Sequence, residues 1–167
     1  MTKSIQLRSN DKGLRAFLSA VSFQLRGKRI SRARRSVGSI LLLDFGALLK
    51  IRSGDKVRSF GEWHLLVEMA PWTISKGKRI LLTSGAPPSK IDKLVSPLLK
   101  GKLLEQFTVR QSGHMEMNFA DNTKLNIKKQ YSERYNNNWT LFYKGYWSIS
   151  NADEKNRYQI QFGNSKK

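Results

Sequence analysis

Residues 25–30 read LRGKRI and residues 99–104 read LKGKLL, seventy-four positions apart, and each closes a helical pattern. A repeat at fixed spacing decides the architecture before any single element does. Working outward at the same spacing, Leu41, Leu43 and Phe45 match Met115, Met117 and Phe119. Slightly larger spacings match Ile51, Arg52, Arg58 and Trp63 with Ile127, Lys128, Arg134 and Trp139, and Trp72 and Ile74 with Trp147 and Ile149. The chain therefore reads as two diverged copies of one unit.

Upstream of each glycine lies an amphipathic helix. Leu14, Phe17, Leu18, Val21 and Leu25 form one stripe over residues 11–26, with Asn10 or Asp11 as cap and Gly27 as stop. Ile91, Leu94, Val95 and Leu98 form the other over residues 90–100, with Ser89 and Asp92 as a capping box and Pro97 as a bend. Downstream the period falls to two, as in MEMNF at 115–119 and WTLFY at 139–143. Hairpin turns are expected at Phe45-Gly46 and Asp121-Asn122. The predicted fold is α+β, a tandem pseudo-twofold duplication of a helix followed by about five antiparallel strands. Residues 1–10 form an N-terminal tail, 11–84 an Arg-rich first unit, 85–88 (GAPP) a linker, 89–162 a second unit and 163–167 a C-terminal tail, the two units sharing one compact domain. Residues 40–45 are apolar on both faces, which predicts a central or covered strand. The matching Trp residues read as core.

The segments EWHLLVEMAPWTI (62–74) and NWTLFYKGYWSI (138–149) resemble a Trp-led strand pattern of uncharacterised bacterial domains of unknown function. The resemblance spans mainly residues 38–75 and implies neither an activity nor a site.

Thirty-one Lys and Arg stand against twelve Asp and Glu, a formal charge of +19, which points to a polyanionic partner. The imbalance is steepest in residues 1–60, with 14 basic and 3 acidic side chains. Within RGKRISRARRS (26–36), Arg26, Lys28, Arg29, Arg32, Arg34 and Arg35 are candidate phosphate ligands, since guanidinium groups grip phosphate bidentately. The second unit has Leu103, Leu104, Gln106, Thr108 and Val109 in the corresponding strand, so the shared fold does not require these cations. Two basic loops, 51–63 and 127–139, add Arg52, Lys56 and Arg58, and Lys128, Lys129, Tyr131, Arg134 and Tyr135, mixing phosphate binders with rings able to stack on bases.

Catalytic signatures are sparse. His64 and His114 are the two histidines, no metal-binding spacing occurs, and there is no Cys to form disulfides, thiolate metal sites or thiol nucleophiles. No cofactor or metal is expected. The N-terminal stretch lacks an apolar signal core, so a cytoplasmic protein without a membrane span is expected. The residues thus predict a non-enzymatic protein or accessory subunit that binds nucleic acid, DNA or RNA. The alternative is an immunity-like or antitoxin-like component that uses the same cations on an acidic protein, and a nuclease using His64 or His114 ranks third.

Overall fold

Asp11 caps the first helix as the sequence predicts: its carboxylate accepts from the backbone N–H of Gly13 and Leu14, two of the donors a helix start leaves free. The second helix begins differently. Pro88 occupies its first turn, where a missing N–H costs nothing, and no side chain caps it. Asp92, expected in a capping box with Ser89, turns instead to Arg35.

The computed structural model describes residues 3–53, 56–68, 70–130, 137–144, 146–152 and 157–163. These form β1 (Lys3–Arg8), α1 (Lys12–Leu25), β2 (Ile30–Arg35), β3 (Leu41–Ser53), β4 (Lys56–Val67), β5 (Trp72–Lys76), β6 (Arg79–Thr83), α2 (Pro88–Leu99), β7 (Leu104–Val109), β8 (Met115–Phe119), β9 (Thr123–Ile127), β10 (Asn137–Tyr143), β11 (Trp147–Ala152) and β12 (Arg157–Phe162). The class is α+β, predominantly β. Seven strands form one antiparallel sheet in the order β1-β12-β11-β10-β4-β3-β2, and five form a second in the order β6-β5-β9-β8-β7. The sheets mix the halves of the chain: β10, β11 and β12 extend the sheet begun by β2, β3 and β4, while β5 and β6 extend the sheet of β7, β8 and β9.

Inward residues of both sheets, among them Leu43, Trp63, Leu65, Trp72, Met117, Leu125, Trp139 and Leu141, join the buried stripes of both helices in one apolar cluster. Each helix closes one open side. α1 packs on β7 and β1, and α2 on β2 and β6, so each helix spans from an edge of one sheet to an edge of the other. Strand β3 is covered as its apolar character predicts, with Leu41, Leu42, Leu43 and Phe45 all buried.

Where LRGKRI meets LKGKLL the backbone bonds are reciprocal. Gly27 N–H donates to Leu104 O and Gly101 N–H to Ile30 O, both at 2.7 Å; Ile30 N–H donates to Lys102 O at 3.0 Å and Leu104 N–H to Lys28 O at 2.9 Å. Gly27 and Gly101 carry nearly equal positive φ angles, 80° and 81°, the left-handed step that lets each chain leave its helix toward the other. The lysines of the two segments, Lys28 and Lys102, each pair with an acid that a second lysine also approaches. Glu62 sits between Lys28 (2.8 Å) and Lys144 (3.1 Å), and Asp121 between Lys102 and Lys76.

The tryptophans match differently from the expectation. Trp72 stands opposite Ile127 and Trp139 opposite Val67. The Trp72 indole donates to Ser39 O at 2.8 Å and the Trp139 indole to Gly113 O at 3.2 Å, acceptors that are again seventy-four residues apart. Trp139 therefore corresponds to Trp72. Trp63, two residues before Leu65, corresponds instead to Thr123, two before Leu125, because Leu65 faces Leu43 as Leu125 faces Met117. Trp63, Trp72 and Trp139 are buried, as the reading of them as core requires.

Candidate nucleic-acid interface

Asp121-Asn122 makes the expected turn between β8 and β9, with Asn122 at positive φ and its N–H bonded to Phe119 O. Phe45-Gly46 does not. There β3 passes through a bulge between Phe45 and Leu48 and continues, paired with β4 from Leu48 opposite Gly61 to Ser53 opposite Lys56. β2 pairs with β3 no further than Phe45, and β10 pairs with β4 no further than Trp63. The six outer residue pairs therefore form a two-stranded arm beyond the sheet, about 20 Å long at the usual rise per residue. Of the stretch 51–63, expected as a loop, residues 51–53 end β3 and residues 56–63 belong to β4.

Four basic residues, Lys50, Arg52, Lys56 and Arg58, fall on this arm against one acid, Asp55, which lies outside the described residues. Lys50 and Arg58 are exposed, as are the apolar Leu48 (48%) and Val57 (62%). Lys50 was not singled out by sequence reasoning. The signal was there: ALLKIRS (47–53) keeps the strand period past Gly46.

A buried carboxylate holds the root of the arm. Asp44, 1% exposed, accepts from Gly61 N–H (2.7 Å) and His64 Nδ1 (2.8 Å) at one oxygen and from Arg32 Nε (2.6 Å) at the other. Burial pushes its pKa up, but the bonds from His64, Gly61 and Arg32 outweigh burial and hold it below the ordinary value. Arg32 reaches onward to the carbonyl of Ser59 on the arm, and the His64 ring meets Phe60 edge-on at 5.3 Å. Gly61 has no room to be anything else. A Cβ there would lie 2.7 Å from Phe45 N and from Trp63 O and 2.8 Å from the Asp44 Cβ, so Gly61→Ala should lower stability by about 2 kcal/mol, read as a shifted denaturation midpoint.

The arginine cluster of 26–35 is largely committed within the protein. Lys28 pairs with Glu62, whose pKa the Lys28 bond lowers against the effect of burial, with Lys144 adding to it. Arg29 donates to Gly101 O at 2.9 Å, and Arg32 to Asp44. Arg35 makes a two-toothed bond to Asp92 at 2.8 and 2.7 Å and also donates to Ser36 O and Gly38 O, tying β2 to α2. These candidate phosphate ligands are thus mostly paired within the protein, with acids brought in from β3, β4 and α2. Arg26 and Arg34 remain exposed, and Arg34 stands one strand over from Leu42. Of the second basic stretch, Lys128 is exposed and Lys129 half-buried just after β9; Tyr131, Arg134 and Tyr135 lie outside the described residues.

Among the described residues, no group of three or more His, Asp or Glu is placed to hold a metal ion, and no helix is long and apolar enough to cross a membrane. No known protein family, curated protein or solved structure matches this chain.

Proposed function

We propose that this protein is a non-catalytic nucleic-acid-binding protein or accessory subunit that grips its partner with the β3–β4 arm, and that the partner is duplex DNA. The arm carries the reading: six residue pairs run on past the strands that flank β3 and β4, with four cations against one acid, in a chain of formal charge +19. A two-stranded ribbon fits the major groove of B-form DNA, whereas the deep, narrow major groove of RNA duplexes excludes side chains. Exposed Leu48 and Val57 among the cations supply apolar contact with sugars and base edges, and Arg34 and Arg26 supply phosphate contacts from the body. Most of the β2 arginines serve instead to fix the arm and α2. A chain without Cys suits the reducing cytoplasm.

We also infer that the chain arose by duplication of one helix-and-strand unit, each copy lending its last strands to the other's sheet. The reciprocal bonds of Gly27 and Gly101, the two clamped acids Glu62 and Asp121, and the Trp72 and Trp139 indole bonds support that origin.

Affinity against salt concentration tests the interface, because each phosphate contact on duplex DNA contributes about 0.9 to the slope of log affinity against log salt. Changing Lys50, Arg52, Lys56 and Arg58 to Gln should lower the slope by about 2 if half of them touch phosphates, and weaken binding at moderate salt about tenfold. Changing three exposed helix lysines, Lys12, Lys90 and Lys93, and Lys100 just past α2 removes the same charge and should do far less. Equal losses from both variants would mean that net charge alone drives binding. Tight binding to an acidic polypeptide with none to DNA or RNA would replace this reading with that of a protein-interaction component.

A further inference from the structure

The outward residues of the five-stranded sheet point to a second site. Thr73, Asn126 and Glu116 lie in one row across β5, β9 and β8, and Ser75, Lys124 and Asn118 in the next. Such a row of hydroxyl and amide groups is an ordinary solvated sheet face when it is flat. Here it is the floor of a cleft of about 390 Å³, which Thr73, Ser75 and Asn126 help to line, at the lower end of the size range of small-ligand sites.

The basic side chains around the cleft are not evenly spread. Lys128 follows Ile127 and His114 precedes Met115, and these two strand residues are partners, so Lys128 and His114 sit at the same end. Arg110 joins them, its N–H bonded to His114 O at 2.8 Å. Lys78, in the turn between β5 and β6, lines the opposite end, and Ile80 beside it is 63% exposed. The cleft has one carboxylate, Glu116. It lies 3.7 Å from Arg110 Nη2 and accepts from the Asn118 amide, so it offsets one of the three charges of Lys78, Arg110 and Lys128.

We propose that this cleft binds a small phosphate ester of mononucleotide size, with the phosphate at the Arg110, His114 and Lys128 end. Guanidinium and ammonium groups at one end match the charge of a phosphate. Thr73, Ser75 and Asn126 offer both donors and acceptors to a sugar or base, and the exposed face of Ile80 covers a flat ring. The site is separate from the arm, which belongs to the other sheet, and does not depend on it.

Calorimetric titration of the full chain with a nucleoside monophosphate, the matching nucleoside, ribose phosphate and inorganic phosphate tests the proposal. Saturable binding of the monophosphate is expected, with the unphosphorylated nucleoside at least tenfold weaker. Arg110→Gln with Lys128→Gln, both at exposed positions, should weaken the monophosphate about tenfold while the melting temperature holds, and the arm variant should bind it as the unaltered chain does. Ribose phosphate binding as well as the nucleotide would support the site and identify a sugar phosphate as its ligand. Inorganic phosphate binding equally well would overturn the claim of a small-molecule site. So would no saturable binding of any probe, or an unchanged affinity in the double variant.

Discussion

Asp44→Ala should lower the unfolding free energy by about 3 to 5 kcal/mol, the range for stripping one partner from a buried charged network. The substitution leaves the Gly61 N–H without an acceptor in a place closed to water, frees His64 and Arg32, and opens a small void between β3 and β4. Asp44→Asn should cost less. Its carbonyl oxygen can still take the Gly61 and His64 bonds, but its amide group then meets the Arg32 donor. Denaturant titration reads both, and an Asp44→Ala midpoint equal to that of the unaltered chain would show that the carboxylate does not anchor the arm. Acid should have the same effect as the substitution. Asp44, Glu62 and Asp121 are all held below ordinary carboxylate values, so their contribution is complete at neutral pH, begins to fall as pH drops below about 4, where the unfolded chain takes up protons, and is gone below the folded-state values.

Removing the arm should abolish most nucleic-acid affinity while the fold survives. The second half shows how to close the gap: Gln106 and Asn118 take the places of Arg32 and Asp44, joined by a neutral 3.1 Å hydrogen bond, and a short turn links β8 to β9. Replacing residues 46–62 with Ala-Asp-Asn, together with Arg32→Gln and Asp44→Asn, transfers that solution to the first half. Loss of four cations from the groove should reduce the salt slope by up to about 4 and affinity at moderate salt by about a hundredfold. Near-ultraviolet dichroism from the buried Trp residues separates loss of binding from loss of fold. Undiminished affinity in a folded variant would rule out the arm as the grip.

Periodicity made the helices and the class of fold legible, and it missed what depends on register. Turn positions carried from Asp121-Asn122 to Phe45-Gly46 overlooked a bulge, because a bulge changes one backbone step and leaves the alternation of ALLKIRS intact. Trp63 and Trp139 align in the written sequence since the arm lengthens one connection and residues 128–136 lengthen another; cross-strand pairing alone separates them. The pairing of Arg32, Lys28 and Arg35 was hidden because their acids lie 12, 34 and 57 residues away. Their charge was legible, and its use within the protein was not. The arm itself was visible in the composition of residues 47–60 but read as a loop.

The exchange of strands between halves sets the order in which the chain can be completed. A nascent chain that has reached α2 holds β4 with a bare edge and β5–β6 with no sheet to join, since β9 and β10 follow much later. Pairing of this kind joins segments distant in sequence, which slows folding and leaves sticky edges exposed meanwhile. The first eighty-odd residues are therefore a poor independent product, and early termination or proteolysis near residues 85–88 should yield aggregating fragments, whereas the two fragments refolded together can satisfy each other's sheets.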